Sequence, residues 1–177
     1  AAQQQHADYF LACVESHQTI FTRQGQLNWL RSTERNLENI RVALDTLIAQ
    51  RNVDKALRLI IASQPFWSDI EYQPTRLHQY QAAIRLADEE WAIVPAQPPD
   101  QLDPNVRHRI DLLAHALRCT AKAALSFPWD VQLATALLQR AALLDRITGL
   151  KQVTLLILFD FAVAARLTYQ YERMAEL

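Results

Sequence analysis

Apolar residues recur three or four positions apart along almost the whole of this 177-residue chain, and no stretch alternates with a period of two. That pattern predicts helices and no strands. A first helix spans Ala2–Ser16, with Tyr9, Phe10, Cys13 and Val14 on its inner side. After a turn around Gly25, a second covers Leu27–Gln50 and restarts near Ser32-Thr33, where hydroxyl residues precede acidic ones. Its inner face is Trp29, Leu30, Leu37, Ile40, Leu44, Leu47 and Ile48. Asn52 and Asp54 open a third helix from Val53 to about Glu71, kinked or split at Pro65. Pro74 suits the first turn of a fourth, which reaches Trp91. Pro95, Pro98, Pro99 and Pro104 then break the pattern.

Asp103-Pro104 pairs a cap with a first-turn proline and opens a fifth helix ending near Ser126. A sixth follows over Asp130–Thr148, with Gly149 as its C-cap. A seventh is expected over Leu150–Thr168 and an eighth from Tyr171. The expected fold is all-α: antiparallel helix pairs stacked as an irregular tetratricopeptide-like (TPR-like) α-solenoid or superhelical bundle. Trp129-Asp130-Val131 and Tyr169-Gln170-Tyr171 occupy corresponding turns about 40 residues apart against a tetratricopeptide period of about 34, so the repeat is irregular. An N-terminal helical subdomain is expected over 1–92, a proline-rich loop over 93–104, and TPR-like pairs over 105–177.

Composition narrows the function classes. Ala and Leu number 26 each and glycine only two, a strongly helix-favouring balance. With 50% hydrophobic and 21% charged residues the chain has the makings of a packed core. Its 18 basic and 19 acidic side chains leave a charge of −1, which gives no footprint for nucleic-acid or anionic-membrane binding. The 15 arginines against three lysines are spread over all the helices and suit pairing with Asp and Glu between helices. Cys13 and Cys119 read as buried thiols rather than a disulfide. The N-terminus, Ala1–His6, is polar and unlike a signal peptide, and the longest apolar run, Val153–Phe159, stops at Asp160. A cytoplasmic protein with no membrane span is the expectation. The missing initiator Met and the helical pattern still running at Leu177 suggest a piece of a larger protein.

The order of motifs adds a resemblance. His6-Ala-Asp-Tyr-Phe-Leu11 is followed by Trp29-Leu30, Asn39-Ile40-Arg41-Val42-Ala43-Leu44, Ala56-Leu57-Arg58-Leu59 and Phe66-Trp67. This series resembles the helical region of signal-transduction ATPases with numerous domains (the STAND class), including LuxR-type and antibiotic-regulator-type bacterial transcriptional regulators. In those proteins the region follows the nucleotide-binding and winged-helix parts and leads into tetratricopeptide-like pairs. The resemblance implies a sensor and scaffold that relays an effector or partner to an ATPase elsewhere in its own chain. This chain has no G-x-x-x-x-G-K-[ST], because Gly25 and Gly149 are its only glycines. A free-standing TPR-like scaffold is the alternative, and an all-α metal-dependent enzyme the third reading.

Four groups of residues carry candidate chemistry. Phe66, Trp67, Tyr72 and Tyr80 gather around the Pro65 kink with Arg76, His78 and Arg85 nearby, a set fit for an anionic or aromatic effector or for plain helix packing. His108, Asp111 and His115 share one helix face and form a weak metal candidate, with about 10 Å of rise between the histidines. Asp88-Glu89-Glu90 offers paired carboxyls but reads as a solvated helix end. Asp160, inside an apolar run, is either on a narrow exposed stripe or buried with a partner from another helix. No residue is assigned a catalytic role and no cofactor is expected. The seventh helix is apolar nearly all round, from Val153 through Leu155, Leu156, Ile157, Leu158, Phe159 and Phe161 to Val163, so weak self-association through this end is expected.

Overall fold

The computed structural model describes residues 2–16, 36–64, 74–92, 101–126, 130–149 and 154–175. Among them are seven helices and no strand: α1 (Ala2–Glu15), α2 (Leu37–Ala49), α3 (Val53–Ser63), α4 (Pro74–Trp91), α5 (Pro104–Ala124), α6 (Val131–Thr148) and α7 (Thr154–Ala175). The expectations for 17–35, for 65–73 with the Pro65 kink, and for 93–100 in the proline-rich loop lie outside the described residues. The helices group into two compact units, Ala1–Glu90 and Trp91–Leu177.

In the first unit α1 packs on both α2 and α3, which also pack on each other. Ala7, Phe10, Leu11 and Val14 are the buried stripe of α1. Tyr9 and Cys13 depart from expectation: Tyr9 is exposed and Cys13 half-buried. At 100° per residue position 13 lies about 110° from the centre of the 7–10–11–14 stripe and position 9 about 150°, on the outward side, where Tyr9 sets its ring edge-on to Phe10 at 5.1 Å. Ile40, Ala43, Leu44 and Leu47 of α2 and Leu57, Leu59 and Ile60 of α3 are all buried. The turn between α2 and α3 is a Schellman motif. Asn52 N–H bonds to Leu47 C=O at 2.9 Å and Arg51 N–H to Ile48 C=O at 2.9 Å, with Arg51 left-handed at φ 55°. Ion pairs bind α3 to α1: Lys55 to Asp8 at 2.7 Å and Arg58 to Glu15 at 2.7 Å.

The second unit is built on α5, which is buried on most of its circumference from Ile110 to Ala124. Asp103 caps it through Asn105 N–H at 2.8 Å, with Pro104 in the first turn as the sequence predicts. Asp130 caps α6 through Leu133 N–H at 2.9 Å, and Gly149 closes that helix at φ 65°. Asp130 N–H reaches Ala124 C=O while Arg107 donates to Thr148 C=O, so α5 and α6 run antiparallel. Thr154 at the start of α7 meets Asp145 near the end of α6, and Asp160 lies beside Arg118 further along α5. The order is therefore up, down, up, with α7 parallel to α5.

The C-terminal pair of helices is a correction. One helix, Thr154–Ala175, replaces the expected break between Thr168 and Tyr171. No glycine or proline stops it there, and Thr168 simply bonds back to Ala164 C=O at 3.1 Å. The proposed correspondence between the Trp129 and Tyr169 turns falls with it. No helix among the described residues is long and apolar enough to cross a membrane.

Candidate functional site

Two of the residues expected to gather around an effector do meet. Arg76 and Tyr80 project from one face of α4 and both are buried, whereas His78 and Arg85 are exposed. Phe66, Trp67 and Tyr72 lie outside the described residues. The Tyr80 hydroxyl is 3.2 Å from Ser63 Oγ of α3. Gln79 Nε2 donates to Asp45 Oδ1 at 2.6 Å and to Arg41 C=O at 3.3 Å, both on α2. Arg76, Gln79 and Tyr80 line a recess with Ile40, Leu44 and Leu59. Burial pushes the Arg76 guanidinium below its ordinary pKa, with Tyr80 opposing the shift. The recess has a cavity volume of about 10 Å³, room for a single water and not for an aromatic ligand. What this geometry does is join α4 to α2 and α3 by polar contacts.

The His108, Asp111 and His115 face does not converge. His115 Nε2 and Asp111 Oδ1 are 4.0 Å apart, and His108 is exposed two turns away. Among the described residues no three His, Cys, Asp or Glu side chains form a metal-sized group. Burial lowers the His115 pKa against the pull of Asp111 and Asp145, and Arg118 adds to the lowering. Asp88-Glu89-Glu90 ends α4 in solvent, where Glu89 accepts from Arg51 at 3.0 Å and Glu90 also pairs with it.

Asp160 is only 2% exposed, and its partner is Arg118, whose Nε lies 2.7 Å from Oδ2. At that distance the two groups form a buried charge pair. Burial raises the Asp160 pKa, while Arg118 and Lys122 pull it back. A second buried acid, Asp145, accepts from the Thr154 hydroxyl through Oδ2, and its Oδ1 accepts no hydrogen bond from the described residues. Sequence reasoning missed Asp145. The signal was present, because Ala134, Leu138, Ala141, Asp145 and Thr148 fall on one stripe at helical spacing and all are buried. Cys119 is buried with its thiol pushed up to about 11, an inert side chain, and it forms no disulfide with Cys13.

The outward side of α7 is different in kind. Leu155, Leu158, Phe159 and Tyr169 are 75%, 58%, 67% and 63% exposed, and Leu156 joins them at 41%. Ile157, Asp160 and Ala164 are the buried inward stripe. No protein-family model, curated protein or solved structure matches the chain. The chemistry of this surface is therefore read from its own residues: apolar, aromatic, and carrying Arg166 as its one described charge.

Proposed function

We propose that the chain is a non-enzymatic helical interaction module, the sensor arm of a STAND-type ATPase regulator, cytoplasmic, with its helix pairs arranged as a TPR-like superhelix. The observation that carries the reading is the exposed face of α7, where four large apolar side chains stand more than half in water. Contiguous apolar patches on a soluble monomer mark contact surfaces, and a helix this apolar on its outer side has a covering partner in its working assembly. The up-down-up order of α5, α6 and α7 supports a repeat array, since a third helix parallel to the first begins a second helix pair. The buried charges support a structural role for the interior. Asp160 is paired with Arg118 inside the helix packing, and Asp145 accepts from Thr154 through one of its two oxygens.

The run of motifs from His6 to Trp67 supports the STAND setting, in which the partners are other domains of the same protein, a protein partner or a small effector. The reading frame N-terminal to Ala1 tests that setting directly. A G-x-x-x-x-G-K-[ST] segment there is the expected result. A frame without one refutes the ATPase setting and leaves the free-standing scaffold.

A further inference from the structure

The outward face of α7 has a register. Leu155, Leu158, Ala162, Ala165 and Tyr169 are spaced three, four, three and four residues apart, and all five are exposed. That is the seam spacing by which two helices interlock side chains. The seam lies well round the helix from the buried Ile157, Asp160 and Ala164, so the packing of α7 inside its own unit leaves it uncovered.

We propose that this seam pairs with the α7 of a second copy of the chain, antiparallel about a two-fold axis at Ala162. The inference rests on α7 being an interaction face and names its occupant. Three observations select a second copy. The sizes are self-complementary: antiparallel pairing about Ala162 sets Leu155 against Tyr169 and Leu158 against Ala165, with the two Ala162 methyls at the crossing. Parallel pairing instead stacks alanine on alanine and leaves a gap between bulky ends. The charge is also self-complementary, because the same antiparallel register places Arg166 over the Phe159 ring of the other copy, a cation–π arrangement. No acid lies on the seam to demand a basic partner.

The area is the third observation. Leu155, Leu158, Phe159 and Tyr169 at 75%, 58%, 67% and 63% exposure, with Leu156 at 41%, amount to on the order of 500 Å² per copy at roughly 150–250 Å² for a large side chain. A pair buries about 1,000 Å², the threshold for a specific interface. An interface at that lower bound is that of a weak, reversible dimer and not of a permanent one.

Sedimentation velocity of the 177-residue chain from about 1 to 500 μM is the test. A reversible monomer–dimer equilibrium is expected, weakened at least ten-fold by Leu158→Asp or Phe159→Asp. Both positions are solvent-exposed, and circular dichroism checks that the variants keep their helices. Orientation is read in a Cys13→Ser background with a short bismaleimide, Cys119 remaining buried and inert. A Leu155→Cys chain mixed with a Tyr169→Cys chain crosslinks as the mixed pair, and each alone crosslinks weakly. A strict monomer at 500 μM, a dimer indifferent to Leu158→Asp, or Leu155→Cys linking chiefly to itself overturns the proposal. A monomer whose α7 face is nevertheless protected in the complete gene product keeps the interaction face and assigns it another occupant.

Discussion

Replacing Arg118 by Met removes the cation facing Asp160 and keeps most of the side-chain volume. The Arg118 and Asp160 side chains are 11% and 3% exposed, so the carboxylate left behind has little water to replace its partner. Breaking a buried pair by deleting one member costs about 3–5 kcal/mol. Lys122 still faces Asp160, which places the expected loss at the lower end, about 3 kcal/mol. For a unit of this size the melting temperature falls by at least about 12 °C. The loss depends on pH. Burial already raises the folded-state pKa of Asp160, and removing Arg118 takes away a cause that lowers it. The folded state then holds the Asp160 proton more tightly than the unfolded chain does. Stability falls as pH rises from the unfolded value of about 3.9 through the raised folded value, and stays low above it. The Arg118→Met penalty is therefore full at neutral pH and shrinks on acidification. Calorimetry of wild type, Arg118→Met and Arg118→Met/Asp160→Leu at several pH values reads this out. The double variant recovers most of the loss, since well-packed apolar residues replace a buried pair at little cost. An Arg118→Met protein as stable as wild type at neutral pH, or equally destabilised at pH 4 and 7, refutes the reasoning.

Three further outcomes follow from the packing. Ile40→Ala or Leu44→Ala opens a cavity where α2 meets its neighbours and costs about 2–5 kcal/mol by urea unfolding; an unchanged midpoint contradicts the burial of this face. Arg51→Gly is neutral or stabilising, because glycine relieves the left-handed backbone while the exposed pairs with Glu89 and Glu90 contribute about 0–1 kcal/mol. Arg51→Val, with a β-branched residue at positive φ, costs at least about 1 kcal/mol in the same melt, and the reverse order of the two variants refutes the turn assignment. Maleimide at neutral pH labels Cys13 in the folded protein and spares Cys119, whose thiol is pushed up to about 11; mass spectrometry showing equal labelling contradicts the burial.

Features encoded locally were legible in the sequence. Asn52, Asp103, Asp130 and Gly149 each mark a helix end, because a cap needs only its own few residues. The break expected between Thr168 and Tyr171 had no local stop signal and came from analogy with the Trp129 turn, and the helix runs through it. Asp160 stood out as a carboxylate in an apolar run, but its partner Arg118 is 42 residues away and only folding brings the two together. Asp145 was passed over because a charged residue is read as surface by default, although its stripe was visible. Arg76 and Tyr80 were expected together and are, while Gln79, Ser63 and Asp45 join them through tertiary contacts that no spacing encodes.

Hydroxyl-radical footprinting of Leu155, Leu158, Phe159 and Tyr169 addresses the interaction face most directly. The residues are labelled in the 177-residue chain when dilute and again when concentrated. The account predicts strong labelling in the dilute chain and protection of all four as the concentration rises. Equal, strong labelling at every concentration contradicts it.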